Sequence, residues 1–181
     1  MRERIRPGVV ASPDCSRMFA DCTKYRSIIF NGQYFDTRLV IYMSYMFSGT
    51  NISSIDLTSF KTATVKKMNG MFENSSFTTL NLSSFDTSEV TDFSGMFKNC
   101  SKLTSVDISN FSVESNPNRE GMFEGCTALK SIKVGEKWAF DGSENLPTPS
   151  SGYWYGSDGT AYSSFADIPK YKADTYTSTK S

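Results

Sequence analysis

The hydrophobic positions of this chain repeat with a period of about 25 residues. Each period contains a Met-Phe pair, and the phenylalanines, spaced 28, 25, 25 and 26 residues apart, are Phe19, Phe47, Phe72, Phe97 and Phe123. A second Phe precedes the pair's phenylalanine by twelve residues in four repeats. An apolar side chain that returns at a fixed address in every repeat is typical of core packing. We therefore predict that the Met-Phe pairs are buried and are not a ligand-binding box.

Two kinds of element are predicted within each repeat. After each pair, two apolar residues stand two positions apart, which is the strand period. These are Ile28 and Phe30, Ile55 and Leu57, Leu80 and Leu82, Val106 and Ile108, and Ile132 and Val134. Before the pair, the spacing of Val90, Phe93 and Met96-Phe97 favours a short helical or 3-10 return. Such units predict a repeat solenoid with a parallel β-sheet on one face and short helical or 3-10 returns.

The repeat pattern also divides the chain. We predict a degenerate N-terminal half-coil or cap at 1–17, a five-coil solenoid at 18–135, and a C-terminal cap at 136–181 that contains a β-hairpin and a tail. The hairpin is indicated by an aromatic run at 153–155, a turn with two glycines, and a second short run at 160–162. The repeat is irregular at two places, with two extra residues around 30–34 and Arg119 where Met or Phe is expected.

Composition excludes several function classes. Lys plus Arg and Asp plus Glu are both 19, so no basic surplus favours nucleic acid or an anionic membrane. The absence of histidine removes the commonest general base and zinc ligand. There is no phosphate-binding loop, no nucleophile elbow and no apolar run long enough for a membrane span. We expect no catalytic residues, no cofactor and no metal site.

The compartment stays open at this point. The first residues, MRERIRPGVVASPDC, contain no apolar core of a signal peptide, and LPTPS is not a sorting signal of the LPxTG type. The protein is therefore expected either to be cytoplasmic or to be a fragment of a longer exported protein.

Three of the four cysteines occupy one column of the repeat, three residues after the pair's phenylalanine. The column holds Cys22, Thr50, Ser75, Cys100 and Cys126. A position that accepts Cys, Thr and Ser indicates a small, nearly buried side chain, so we expect free thiols. A bridge between Cys15 and Cys22, or between Cys100 and Cys126, remains an alternative.

The stretch FDTSEVTDFSGMFKNCSKLTSVDIS resembles the repeat of bacterial surface proteins with BspA-like leucine-rich repeats, and the likeness extends over about residues 9 to 135. The resemblance implies a leucine-rich-repeat-like fold at the cell surface or in secreted form. It also implies adhesion to host or matrix proteins, and it implies no catalytic residues.

The predicted sheet has an outward polar face that is a candidate for partner binding. The candidate residues lie between the apolar strand positions, and they are Ser54, Asp56, Thr79, Asn81, Ser105, Asp107, Ser131 and Lys133. Repeat proteins often bind partners on such an extended surface. The alternative is a solvated face whose hydroxyl groups form ladders between strands.

The C-terminal segment contains a second candidate site. Tyr153, Trp154, Tyr155 and Tyr162 could form an aromatic cradle for a quaternary ammonium group, because this segment also resembles choline-type cell-wall-binding repeats. The alternative is that these rings pack as part of the C-terminal cap.

The function that these patterns favour is a non-enzymatic recognition or adhesion module that binds an unidentified host or matrix protein. One alternative is a structural spacer or stalk of a larger surface protein. Another is a cell-wall-binding module that uses the aromatic segment. Nucleic-acid binding and membrane insertion are not expected, and the oligomeric state is open.

Overall fold

The computed structural model describes residues 2–4, 9–30 and 35–180. In chain order the strands are β1 (Arg2–Arg4), β2 (Val9–Val10), β3 (Ser27–Ile29), β4 (Phe35–Asp36), β5 (Thr79–Asn81), β6 (Ser105–Ile108), β7 (Ser131–Val134), β8 (Trp154–Tyr155), β9 (Ala161–Tyr162) and β10 (Asp174–Thr177). A 3-10 helix spans Phe165–Asp167. Within these ranges no helix is long and apolar enough to cross a membrane.

The predicted fold class is wrong. The largest sheet is an open, mixed sheet of six strands in the order β5-β6-β7-β10-β8-β9. β5, β6 and β7 run parallel to one another, whereas β10 pairs antiparallel with β7 and β8, and β8 pairs antiparallel with β9. The predicted helical returns are turns. A leucine-rich-repeat-like solenoid with a single parallel sheet and helical returns is therefore not the architecture of this protein.

The returns are not helical because their amides alternate between a hydrogen bond within the turn and a hydrogen bond to the next repeat. Met96 N–H donates to the carbonyl of Phe93 within the turn, but Gly95 N–H donates to a carbonyl of the next repeat. In an α-helix, beyond its first turn, each amide bonds to a carbonyl of the same segment. Gly95 and Asn99 also have positive φ angles of 59°, which a right-handed helix excludes. The apolar spacing thus resembled a helix while the backbone forms linked turns.

Neighbouring repeats nevertheless pair in a regular register. Thr79, Ser105 and Ser131 lie opposite one another across β5, β6 and β7. On the turn side, a series of isolated parallel bridges joins Asp14, Tyr42, Lys67, Asp92 and Asn118. Two further parallel pairs, β1 with β3 and β2 with β4, lie at the N-terminal end. Strands occur at four of the five predicted positions, the exception being the segment that contains Ile55 and Leu57.

The Met-Phe pairs pack as predicted, with one exception. The five phenylalanines of the pairs form a continuous stack, with neighbouring ring centroids 5.1 to 5.7 Å apart and nearly parallel planes. Four of the methionines are fully buried, while Met18 is 42% exposed. Burial of each such side chain contributes about 1.5–3 kcal/mol, so the repeated columns stabilise the fold.

The C-terminal segment joins the main sheet. β10 lies directly against β7, with Tyr176 opposite Ile132, and Tyr176 is fully buried. Residues 153–155 and 160–162 supply the paired strands β8 and β9, which reach the rest of the sheet through β10. The proposed region limits 1–17, 18–135 and 136–181 stay predictions. Residues 1, 5–8 and 181, and 31–34 of the predicted insertion, lie outside the described residues.

Candidate functional site: a polar face on the parallel strands

The predicted partner-binding residues lie in two rows across neighbouring segments. We call Ser54, Thr79, Ser105 and Ser131 the hydroxyl row, and Asp56, Asn81, Asp107 and Lys133 the turn row. Strand pairing places the last three members of each row opposite one another on β5, β6 and β7. A backbone hydrogen bond of 3.0 Å from Thr78 to Ser53 holds the segment of Ser54 beside β5. At about 4.8 Å per strand, each row extends about 14 Å.

The hydroxyl groups of the hydroxyl row form no hydrogen bonds within the described part of the protein. No hydrogen bond joins these four hydroxyl groups to another described residue, so they form no ladder of their own. Ser54 and Thr79 are exposed, and Ser105 and Ser131 are half-buried. The ladder at this edge is formed instead by Thr104, whose hydroxyl donates to the carbonyl of Thr78 at 2.9 Å. The hydroxyl row is therefore available to a partner.

The turn row has a structural role of its own. Asp56 Oδ1 accepts hydrogen bonds from the hydroxyl and the backbone N–H of Thr58 at 2.6 and 2.9 Å. These bonds lower the pKa of Asp56. Asn81 Oδ1 accepts the same pair of bonds from Ser83. Side chains of this type close the turn that follows a strand, and the sequence pattern Asp/Asn-x-Ser/Thr could have revealed that role.

Asp107 and Lys133 form an ion pair at the end of the turn row. Lys133 Nζ lies 3.1 Å from Asp107 Oδ2, while Asp107 Oδ1 accepts the backbone N–H of Ser109 at 2.9 Å. Burial alone would raise the pKa of Asp107, but the bonds from Ser109 and the charge of Lys133 lower it overall. Half of the polar groups predicted to bind a partner are thus already engaged within the fold.

An open depression of about 420 Å³ lies at one end of the face. It is lined by residues 27–30 and by Ser54, Ile55 and Asp56. A second, larger depression of about 680 Å³ lies at the other end, where Lys133 and Gly135 meet Asp174 and Thr175 of β10. Sequence reasoning missed this second depression because it did not predict β10. The alternation Asp174-Thr175-Tyr176-Thr177 was the available signal.

The four rings of the predicted aromatic cradle are not brought together. Trp154 lies opposite Tyr162 in the β8–β9 pair, so these two side chains share one face of the hairpin. Trp154 is only 3% exposed, and its Nε1 donates to the carbonyl of Pro147 at 3.1 Å. Tyr153 and Tyr155, with ring centroids 6.3 Å apart, belong to the opposite face. Trp154 is buried and Tyr162 packs against the core, whereas Tyr153 is exposed and Tyr155 is half-buried.

The cysteine column is a packing position. Cys100 and Cys126 are fully buried, and their thiols donate to the carbonyls of Phe72 and Phe97 at 2.9 and 3.0 Å. Burial raises the pKa of both thiols, which makes them poor nucleophiles. Cys15, Cys100 and Cys126 are free cysteines. Among the described residues, no group of three His, Cys, Asp or Glu side chains could hold a metal ion.

A buried ion pair connects the last repeat to the C-terminal segment. Arg119 is 7% exposed and contacts Glu144, with 2.9 Å between Nη1 and Oε1, and also Asp141. Glu144 is fully buried and accepts the N–H of Gly142 at 3.0 Å. The irregular Arg119 in the repeat pattern was the sequence signal for this cluster, but its acidic partners could not be identified from spacing.

Comparison with known proteins places the chain in a family. The family model described as "Mycoplasma protein of unknown function, DUF285" matches residues 13–139, which is well over half of the chain. The chain belongs to this family. Searches of curated proteins and of solved structures gave no significant match.

Proposed function

We propose that this protein is a non-enzymatic recognition or adhesion module that binds a host or matrix protein through the hydroxyl row. The resemblance to BspA-like surface proteins supports this function, and with it a location at the cell surface or in secreted form. The observation that carries the proposal is a line of four hydroxyl groups that have no hydrogen-bonding partner among the described residues. Such groups can bond to a partner without breaking an internal bond.

The side chains of the face determine the kind of binding to be expected. Ser and Thr are short, so the backbone of a partner can approach the strands closely. The eight residues of the hydroxyl row and the turn row include no Trp, Tyr or Arg, which are the residues that dominate tight interfaces. Binding by one copy is therefore expected to be weak, and display of many copies on a surface would raise the apparent affinity by about 10²–10⁴-fold.

The experiment measures binding of the purified protein, displayed in many copies on a sensor, to a panel of extracellular matrix proteins. Ser105→Arg places a long cation in the middle of the hydroxyl row and should weaken saturable binding about tenfold or more. Ser101→Arg is the matched control, because it introduces the same side chain at an exposed position in the turn before β6. It should bind as the unaltered protein does.

Two results would refute the proposal. One is the absence of saturable binding to every member of the panel, which favours a structural spacer. The other is equal binding by Ser105→Arg and Ser101→Arg when urea unfolding shows both to be folded, which would move any binding site away from the hydroxyl row.

A further inference from the structure

On the turn side, N–H groups at four alternate positions of one repeat donate to carbonyls of the following repeat, while a bond at the start of the turn, such as that from Lys66 N–H to the carbonyl of Ile41, runs the other way. In the second repeat, the N–H groups of Met43, Tyr45, Phe47 and Gly49 donate to the carbonyls of Lys67, Asn69, Met71 and Glu73. The third repeat donates in the same way to the fourth, and the fourth to the fifth. The second, third and fourth repeats therefore each present four acceptors to the repeat before and four donors to the repeat after.

The first repeat follows this hydrogen-bonding pattern only on the side that faces the second repeat. The N–H groups of Cys15, Arg17, Phe19 and Asp21 donate to the second repeat. The four carbonyls in the acceptor positions belong to Asp14, Ser16, Met18 and Ala20, and no described residue donates to them. Unpaired carbonyls at alternate residues are the edge on which another backbone segment can pair. We call these four carbonyls the acceptor row.

The side chains next to the acceptor row are also uncovered. Met18 is 42% exposed, whereas Met46, Met71, Met96 and Met122, which occupy the same column, are fully buried. Six of the eight exposed large hydrophobic side chains among the described residues lie between residues 10 and 42. They are Val10, Met18, Ile29, Leu39, Ile41 and Tyr42. Most of the exposed large apolar side chains of the described residues therefore belong to the N-terminal part of the chain, and Met18 lies within the acceptor row itself.

We infer that the acceptor row and Met18 form a docking edge for an extended segment of a partner chain that carries this repeat's own pattern. The partner must supply amide N–H groups at four alternate positions and an apolar side chain that covers Met18, as each repeat does for the next. The four equivalent interfaces inside the protein are built in this way, and the open edge continues them.

A second copy of the protein does not meet this requirement through the same edge. Two acceptor rows facing each other would bring carbonyl against carbonyl with no donor between them. At the other end of the repeats, the donors Gly121 and Phe123 already bond to Ser143 and Glu144. β10 also covers the outer edge of β7. The folded protein therefore exposes acceptors at this edge without offering a matching donor row there.

The test uses a fluorescent, end-capped peptide with the sequence of residues 88–99, SEVTDFSGMFKN. Within the protein, Phe93, Gly95, Phe97 and Asn99 of this segment are the donors to the fifth repeat. Saturable binding is expected, with amide NMR shifts confined to residues 10–21 and their immediate neighbours. A peptide that is N-methylated at Phe93, Gly95 and Phe97 lacks three donors and should bind about tenfold more weakly or worse.

Protein variants locate the site. Met18→Lys should abolish peptide binding with little change in urea unfolding, because Met18 is already 42% exposed. Tyr153→Lys, at a side chain that is 44% exposed near the other end, is the matched control and should bind normally. Ser105→Arg should also leave peptide binding unchanged, which separates this edge from the proposed function of the hydroxyl row.

Three outcomes would overturn the inference. No saturable binding of the peptide up to millimolar concentration would refute it. Equal binding of the N-methylated peptide would show that the carbonyls are not the contact. Sedimentation that reveals a dimer abolished by Met18→Lys would assign the edge to a second copy of this protein instead.

Discussion

The buried pair of Arg119 and Glu144 offers the sharpest test of how the repeats are joined to the C-terminal segment. In the equivalent column other repeats carry Met43, Met68 and Phe93, so Arg119→Met restores the ordinary side chain of that position. The substitution leaves Glu144, which is fully buried, without its cation. Removal of one partner from a buried pair typically destabilises a protein by about 3–5 kcal/mol.

Protonation of Glu144 limits this loss. Burial raises the pKa of Glu144 even in the unaltered protein, while a backbone hydrogen bond and the charge of Arg119 pull it down. From the ordinary value of 4.5, neutralising the carboxylate at pH 7 costs about 3.4 kcal/mol, and at pH 5 about 0.7 kcal/mol. We therefore expect Arg119→Met to lower the free energy of unfolding by about 3 kcal/mol at pH 7.

The pH dependence gives the sign of the effect. A carboxyl group whose pKa in the folded state lies above its unfolded value binds more protons when folded, so stability falls as the pH rises. The destabilisation caused by Arg119→Met should therefore be small near pH 5 and grow towards pH 7. In Arg119→Met combined with Glu144→Gln, the side chain is neutral and still accepts the N–H of Gly142. This double variant should regain most of the stability and lose the pH dependence.

The assay is urea unfolding followed by the fluorescence of Trp138 and Trp154, both of which are buried. Arg38→Met is the matched control, because Arg38 pairs with Asp36 at the surface with 74% of its side chain exposed; little change is expected. Equal shifts of the transition in Arg119→Met and Arg38→Met would refute a stabilising role of the buried pair. A double variant that is no more stable at pH 7 than Arg119→Met alone would refute it as well.

Three further predictions follow from packing. Met122→Ala should cost about 2–5 kcal/mol in urea unfolding while Met18→Ala costs little; equal losses would contradict the difference in burial. Gly135→Ala should be far more damaging than Gly95→Ala. A Cβ at Gly135 would lie 1.9 Å from a backbone carbonyl of the neighbouring repeat. At Gly95 the expected loss of stability is only the cost of a side chain at a positive φ angle, about 1–2 kcal/mol. Cys100 should resist maleimide at pH 8 until urea is added, because burial raises the pKa of its thiol; peptide mapping that finds it labelled in the folded protein would disprove this.

The apolar columns could be read from the sequence because their spacing records which residues face the core. Phe72, Phe97 and Phe123 stack as the repeat predicts, and the column that holds Cys100 and Cys126 is buried. The path of the backbone between the columns could not be read in this way. Val90, Phe93 and Met96 have a spacing that a helix and a series of turns share, and hydrogen bonds to the next repeat decide between them.

The sequence predicted that the candidate residues lie side by side, but it did not predict which of their polar groups are hydrogen-bonded within the fold. The register of β5, β6 and β7 follows from the period of the repeat, so Thr79, Ser105 and Ser131 were expected side by side. Spacing did not show that Asp56 closes its own turn while the hydroxyl row stays unbonded. That division depends on which polar atom lies within hydrogen-bonding distance of another.

By itself the sequence determined the period, the buried columns and the alignment of neighbouring repeats, because each of these follows from a side chain that returns at a fixed interval. The tertiary structure alone decided the mixed sheet, the burial of Arg119 against Glu144, and the open acceptor row beside Met18. Those features arise where segments distant in the chain meet, or where a neighbour is missing. No local pattern of polar and apolar residues encodes either condition.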